Sequence, residues 1–138
     1  MGARILSAAD NTERQIREKL RMKGFGSETI TEAVSELERL GYLNEKRYIA
    51  NAVEYYAFRK LYGPRRIPLE LKNKGFKSEY ISAVDYSEID FVSGCAELIE
   101  KRGVEDGRLD EKTLAFLQRY GYTSSIIRQA LGKVLGDK

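Results

Sequence analysis

The sequence contains no histidine and no tryptophan, and it has one cysteine among its 138 residues. Without histidine, the chain lacks the side chain that most often serves as a general base, and it cannot form a Cys/His zinc site. One cysteine excludes a disulfide framework. Cys95 lies between Gly94 and Ala96 on a predicted helix, which indicates a small buried apolar residue. We therefore predict no enzymatic activity, no cofactor and no metal site.

Long apolar stretches are missing as well. No segment approaches the roughly 18 apolar residues of a membrane-spanning helix, and residues 1–9 lack the apolar centre of a signal peptide. Hydrophobic residues make up 42% of the chain and charged residues 33%, which is typical of a folded, charge-rich protein. We expect a cytoplasmic monomer without a membrane partner or a small-molecule substrate.

Charge of one sign is scarce in some segments and abundant in others. Residues 59–77 carry seven Lys/Arg and one acid, residues 86–111 carry three Lys/Arg and eight acids, and residues 112–138 carry five Lys/Arg and one acid. The acids of the middle segment lack the spacing of metal ligands and are better explained as solvated surface and helix caps. The basic segments fit a polyanion or a charged protein groove, and they equally fit solvated helix faces.

Glycines organise the chain. At four positions a glycine is followed by an aromatic residue and preceded, four residues earlier, by a leucine. These positions are Leu20-Gly24-Phe25, Leu37-Gly41-Tyr42, Leu71-Gly75-Phe76 and Leu117-Gly121-Tyr122. The spacing predicts a Schellman turn, in which glycine takes a positive φ at C′ and the next residue folds back onto the leucine at C3.

Between these predicted helix ends, which we call stops, apolar residues recur at helical spacing. Apolar and polar residues do not alternate over any long stretch, so no strand is predicted. The stripes are Ile16 and Leu20; Ile30, Val34, Leu37 and Leu40; and Tyr48, Ile49, Ala52, Val53 and Tyr56. Start signals agree with them. The candidates are a capping box at Asp10-x-x-Glu13 or Thr12-x-x-Gln15, and N-caps at Ser27, Asn44, Ser78 and Asp110.

The stops also reveal an internal repeat, because the Leu-x-x-x-Gly-aromatic pattern with its downstream isoleucine recurs after 51 and 46 residues. About 50 residues suffice for three short helices. We predict an all-α tandem array of three-helix repeats, elongated and curved, without a sheet. The units are residues 8–62, 63–108 and 109–138, the last one truncated.

The helix predicted to begin at Pro64 presents two different faces. Ile67 and Leu71 point inward by the repeat pattern, which places Arg65, Leu69 and Lys72 on the opposite side. A leucine between two cations indicates either a contact surface or packing against a neighbouring repeat. Four tyrosines precede this helix, Tyr48, Tyr55, Tyr56 and Tyr62, and the spacing of seven predicts one face for Tyr55 and Tyr62. They could stack on bases or fill space between helices.

Two motifs in order carry a family resemblance. They read Gly41-Tyr42-Leu43-Asn44-Glu45-x-Arg47-Tyr48 and Tyr62-Gly63-Pro64-x-Arg66-Ile67-x-x-Glu70-Leu71-x-x-Lys74-Gly75-Phe76. The chain resembles the RecX family of bacterial recombinase regulators, strongly over residues 12–85 and weakly beyond.

The resemblance implies a protein that binds in the groove of the RecA–single-stranded DNA filament and limits its extension, ATPase activity and strand exchange. Some family members also bind DNA weakly. Candidate partner-binding residues are Arg65, Leu69 and Lys72, with Arg66, Lys74 and Lys77 nearby and Arg119, Arg128 and Lys133 next. Two alternatives stay open: a standalone DNA-binding module that uses residues 59–77, and a helical adaptor for an unrelated partner.

Overall fold

The structure is a computed structural model that describes residues 11–41 and 43–136. Eight α-helices lie in these ranges: α1 Glu13–Met22, α2 Ser27–Arg39, α3 Glu45–Glu54, α4 Arg66–Lys74, α5 Ser78–Ser82, α6 Phe91–Arg102, α7 Glu111–Arg119 and α8 Ser124–Gly136. Helix α3 continues into a five-residue π-helical turn, Tyr55–Arg59. The same ranges contain no strand, only an isolated bridge between Glu105 and Arg108. The predicted all-α class is confirmed.

The predicted Schellman turns are present. Gly24, Gly75 and Gly121 have φ values of +94°, +97° and +101°. At the first of these turns, the Phe25 amide donates to the Leu20 carbonyl at 3.2 Å and the Gly24 amide donates to the Arg21 carbonyl at 3.0 Å. The corresponding pairs recur at the other two glycines, so leucine occupies C3 as the spacing predicts.

The fourth stop is described only in part. Gly41 has a φ of +79°, and its amide donates to the Glu38 carbonyl at 3.1 Å. The aromatic residue predicted to cover this turn, Tyr42, lies outside the described residues.

Three of the predicted helix starts are confirmed. Thr12 and Gln15 form a reciprocal capping box at α1, whereas Asp10 of the alternative box lies outside the described residues. The Asn44 side chain accepts from the Arg47 amide at 3.2 Å, and the Asp110 side chain accepts from the Thr113 amide at 2.7 Å.

The predicted N-caps Ser27 and Ser78 are wrong by one residue. Each serine is the first helical residue, and the N-cap positions are held in extended conformation by Gly26 and Lys77 without a side-chain cap. The glycine and the following aromatic residue complete the Schellman turn. The residue directly after that aromatic residue is therefore the N-cap of the next helix. Thr123, two residues after Gly121, follows the same rule and accepts from the Ile126 amide at 3.2 Å.

The chain divides into two compact units, Met1–Ala52 with Leu71–Val84 and Val53–Glu70 with Asp85–Lys138. Their boundaries fall within α3, within α4 and after α5. These units are defined by contacts, whereas the predicted repeats of residues 8–62, 63–108 and 109–138 are defined by sequence similarity. The repeat boundaries stay a prediction.

In the first unit, α1 and α2 pack through a core of six buried aliphatic residues: Ile16, Leu20, Ile30, Val34, Leu37 and Leu43. The aromatic residues that follow the two Schellman glycines of this unit differ in burial. Phe25 is half-buried against the core, whereas Phe76 is only 5% exposed and its ring centroid lies 4.7 Å from that of Tyr48.

In the second unit, the core lies mainly between α6 and α8 and is closed by residues from α7 and from the segment after the π turn. Cys95 is fully buried there, as predicted, and burial raises the pKa of its thiol to about 12. The Tyr122 hydroxyl donates to the Leu61 carbonyl at 2.6 Å inside this core. Burial raises the pKa of Tyr122 as well.

In the described part of the chain, no helix combines the length and the apolarity that crossing a membrane requires.

Candidate functional site

The segment that leads into α4 forms backbone hydrogen bonds with the Schellman turn that ends α7. The Gly63 amide donates to the Tyr120 carbonyl at 2.7 Å, and the Arg65 amide donates to the Gly121 carbonyl at 3.0 Å. A Cβ atom at Gly63 would lie 2.5 Å from the Gly121 carbonyl carbon, and one at Gly121 would lie 2.6 Å from the Arg66 Cβ. Such distances exclude a side chain, so this backbone contact requires glycine on both sides.

The prediction that this helix begins at Pro64 is wrong by two residues: α4 begins at Arg66, and Pro64 lies in the turn that leads into it. The Ile67 amide nevertheless donates to the Gly63 carbonyl at 3.2 Å, as in a first helical turn. Pro64 therefore sits where its missing amide hydrogen leaves no helical bond unmade, as the sequence predicts.

Helix α4 is divided into a buried and an exposed side. Ile67 and Leu71 are fully buried, as predicted. On the opposite side Leu69 is 62% exposed, and Arg65 and Lys72 are exposed. A large apolar side chain in that position buries little of its own surface. We call Arg65, Leu69 and Lys72 the α4 face.

Arg66, which the sequence groups with this face, is engaged within the second unit. Its Nε lies 3.2 Å from Glu70 Oε1, and its guanidinium lies 4.2 Å from the Tyr62 ring centroid and 5.6 Å from that of Tyr120. It also donates to the Arg119 carbonyl at 3.3 Å. These contacts fasten α4 to the end of α7, and a role of Arg66 in partner binding stays a prediction.

Lys74 and Lys77 have contacts within the first unit. Lys74 Nζ donates to the Tyr48 hydroxyl at 3.1 Å. Lys77 Nζ lies 3.6 Å from Glu13 Oε1, and the Glu13 carboxylate raises the pKa of Lys77. Both lysines thus have partners within the fold, and their contact with a binding partner stays a prediction.

The three candidate cations of the C-terminal segment, Arg119, Arg128 and Lys133, are exposed but differ in their contacts. Lys133 Nζ donates to Ser93 Oγ at 2.7 Å. Arg128 lies on the exposed side of α8, and Arg119 is exposed in the last turn of α7. Their assignment as partner-binding residues stays a prediction. Among the described residues, no three acidic or cysteine side chains come together as metal ligands would.

Sequence reasoning missed a second exposed patch, on the π turn. Phe58 is 59% exposed and Tyr55 is 48% exposed. The expectation that Tyr55 and Tyr62 share a helix face is wrong, because the helix ends before Tyr62 and Leu61 takes a φ of +57°. Tyr62 stacks instead on the buried Tyr56, with ring centroids 5.8 Å apart. Phe58 falls off the buried stripe of α3, and that offset was the signal for its exposure.

Comparison with known proteins decides the family. A protein named "Regulatory protein RecX" from Trichlorobacter lovleyi is 33% identical over 94% of this chain and 90% of its own length. This chain belongs to the RecX family. Proteins of the same name from Caldanaerobacter subterraneus subsp. tengcongensis and Legionella pneumophila are 32% and 28% identical, over 66% and 89% of their lengths. The family model described as "RecX, first three-helix domain" matches residues 2–37, which end within α2.

The RecX resemblance drawn from the two motifs is thereby confirmed. The motif that surrounds Gly63 supplies the backbone contact with the Tyr120–Gly121 turn, the inward residues Ile67 and Leu71, and the Arg66–Glu70 pair. In this RecX protein the motif therefore builds and positions α4, and the residues between the motif positions form its exposed face.

Proposed function

We propose that this RecX protein regulates the recombinase RecA by binding, without catalysis of its own, to RecA–single-stranded DNA filaments in the cytoplasm. The α4 face is the contact surface. The observation that carries the proposal is Leu69, which is 62% exposed on a helix whose opposite residues are fully buried. Membership in a family whose relatives are named regulatory proteins supplies the functional class.

The chemistry of the α4 face fits a groove that offers acidic groups around an apolar site. Arg65 and Lys72 lie four residues before and three residues after Leu69, so helical geometry places both cations beside the leucine. An apolar residue surrounded by charges is the usual arrangement of a protein contact, in which the centre is desolvated and the rim sets orientation. DNA phosphates or acidic side chains of the filament could meet these cations.

Binding alone is sufficient for regulation. A ligand shifts an assembly equilibrium only by the difference between its affinities for the two states. A protein that binds a filament state unable to extend more tightly than the extending state therefore limits further extension. Lower ATP hydrolysis and strand exchange follow, because both depend on the filament.

The test is reversal of the two charges, Arg65→Glu with Lys72→Glu, assayed by RecA-driven ATP hydrolysis on single-stranded DNA and by direct filament binding. Each exposed charge contributes on the order of 1 kcal/mol, so the double change should weaken binding roughly tenfold or more. The fold should tolerate it, because glutamate is favourable before the first turn of α4 and costs only about 0.3–1 kcal/mol near its last turn.

The matched control is Arg21→Glu with Lys112→Glu. These exposed cations lie on α1 and α7, and the control changes the net charge by the same amount. It should leave RecA regulation unchanged if position rather than total charge matters. A third variant, Leu69→Ser, should lose filament binding and keep its melting temperature. The proposal is wrong if the Arg65/Lys72 variant folds normally and still regulates RecA as the parent does.

A further inference from the structure

The π turn displays two aromatic side chains that the core does not use. Tyr55 and Phe58 are 48% and 59% exposed, whereas Tyr56 and Ala57 between them are buried. An aromatic ring in water gives up much of the stabilisation that its burial would provide. The turn therefore exposes two large aromatic side chains within four residues of each other. π-Helical turns are rare and frequently occur at functional sites.

Backbone hydrogen bonds and ring contacts fix the conformation of the π turn. The Lys60 amide closes it on the Tyr55 carbonyl at 3.1 Å, and the Tyr62 amide donates to the Tyr56 carbonyl at 2.9 Å. The Tyr55 ring centroid lies 5.7 Å from that of Tyr56, which in turn stacks on Tyr62. An exposed ring that rests on a buried ring, as Tyr55 rests on Tyr56, loses little conformational freedom when it binds a ligand.

Cations accompany the two rings. Arg59 and Lys60 follow Phe58 directly and are exposed, and Lys60 Nζ lies 6.0 Å from the Tyr55 ring centroid. Residues 55–69 contain four Lys/Arg residues and no acid. A ligand that contacts these rings therefore meets positive charge beside them.

We propose that Tyr55, Phe58, Arg59 and Lys60, here called the aromatic turn, bind single-stranded nucleic acid. The two rings stack on bases and the two cations contact phosphates. Every base has a flat π face, so stacking of this kind needs no particular sequence. Single strands fit better than a duplex because their bases are free to leave their own stack. An apolar surface of a protein partner would contact the rings but would leave the two cations without a partner.

This inference adds to the proposed function a direct contact with the DNA strand of the filament, and it is tested without RecA. The full chain is titrated into a labelled oligothymidylate of about 20 nucleotides, which exceeds a typical single-strand site, and fluorescence anisotropy reports binding. Tyr55→Ala and Phe58→Ala should each weaken binding at least about fivefold, since one stacked base contributes about 1–3 kcal/mol. Tyr55→Phe keeps the ring and should bind like the parent.

A second oligomer separates stacking from charge attraction. An abasic oligomer of equal length carries the same phosphates without bases, so it should bind more weakly to the parent and equally to parent and Tyr55→Ala. The matched control variant is Leu114→Ala, which removes another exposed apolar side chain of the second unit and should change neither affinity.

The chain also allows a direct signal. Because it contains no tryptophan, Tyr55→Trp provides a single indole whose fluorescence should be quenched by oligothymidylate and not by the abasic oligomer. The inference is overturned if the alanine variants keep the parent's affinity, if abasic and base-bearing oligomers bind alike, or if the variants lose RecA regulation alone, which would make the turn a protein contact. If Tyr55→Ala and Phe58→Ala weaken oligothymidylate binding while the Arg65/Lys72 variant still regulates RecA as the parent does, only the proposed function is rejected.

Discussion

The sharpest structural prediction concerns Gly121, where two requirements for glycine coincide. Its φ of +101° belongs to a Schellman turn, and a Cβ there would collide with the backbone nitrogen and the Cβ of Arg66. Gly24 provides the matched control. It occupies the same position of the same turn with a φ of +94°, and nothing lies within 4 Å of an added Cβ.

The magnitudes follow from that difference. Alanine at either glycine adopts a left-handed conformation that costs about 1–2 kcal/mol. At Gly121 the start of α4 must also move away, which breaks the hydrogen bonds from the Gly63 and Arg65 amides at 2.7 and 3.0 Å. Each contributes about 1 kcal/mol. Gly24→Ala should therefore cost about 1–2 kcal/mol and Gly121→Ala about 3–4 kcal/mol.

Urea denaturation followed by circular dichroism measures both free energies of unfolding. Gly24 belongs to the first unit and Gly121 to the second, so each variant is read on the transition of its own unit if two are seen. Gly63→Ala should be destabilising too, because its Cβ would lie 2.5 Å from the Gly121 carbonyl carbon in the same backbone contact. The double variant with Gly121→Ala should cost less than the two single losses combined, because they share one contact. Equal losses for Gly24→Ala and Gly121→Ala would refute the close-contact argument.

Two further predictions rest on burial. Phe76→Ala should lower the free energy of unfolding by about 3–5 kcal/mol, since the ring is 5% exposed, whereas Phe25→Ala should cost clearly less because its ring is half-buried; equal losses in urea denaturation would contradict this. Cys95 should resist thiol reagents in the native protein and react quickly in urea, because burial excludes the reagent and raises the thiol pKa to about 12. With that pKa the native thiol stays protonated at pH 8, and rapid alkylation there would show that the core is open.

The sequence by itself determined which glycines end helices, three of the helix starts, and the buried side of α1 and α4. These properties depend on residues within one or two turns of each other. Gly24 needs only its own positive φ and Leu20 four residues earlier to stop α1. The inward positions of Ile67 and Leu71 follow from a period of 3.6 residues. The two motifs around Gly41 and Gly63 were enough to indicate the RecX family, and with it a regulatory function.

Tertiary structure alone decided which cations of the basic segment serve the fold and which face solvent. Arg65 and Arg66 are neighbours with the same charge, yet Arg66 lies against Tyr62 and the end of α7 while Arg65 is exposed. That distinction depends in part on Arg119 and Tyr120, which are more than 50 positions away and whose contacts with Arg66 no local pattern encodes. The exposure of Tyr55 and Phe58 was decided in the same way, because an aromatic residue at a helix end is buried or displayed according to what the rest of the chain brings against it.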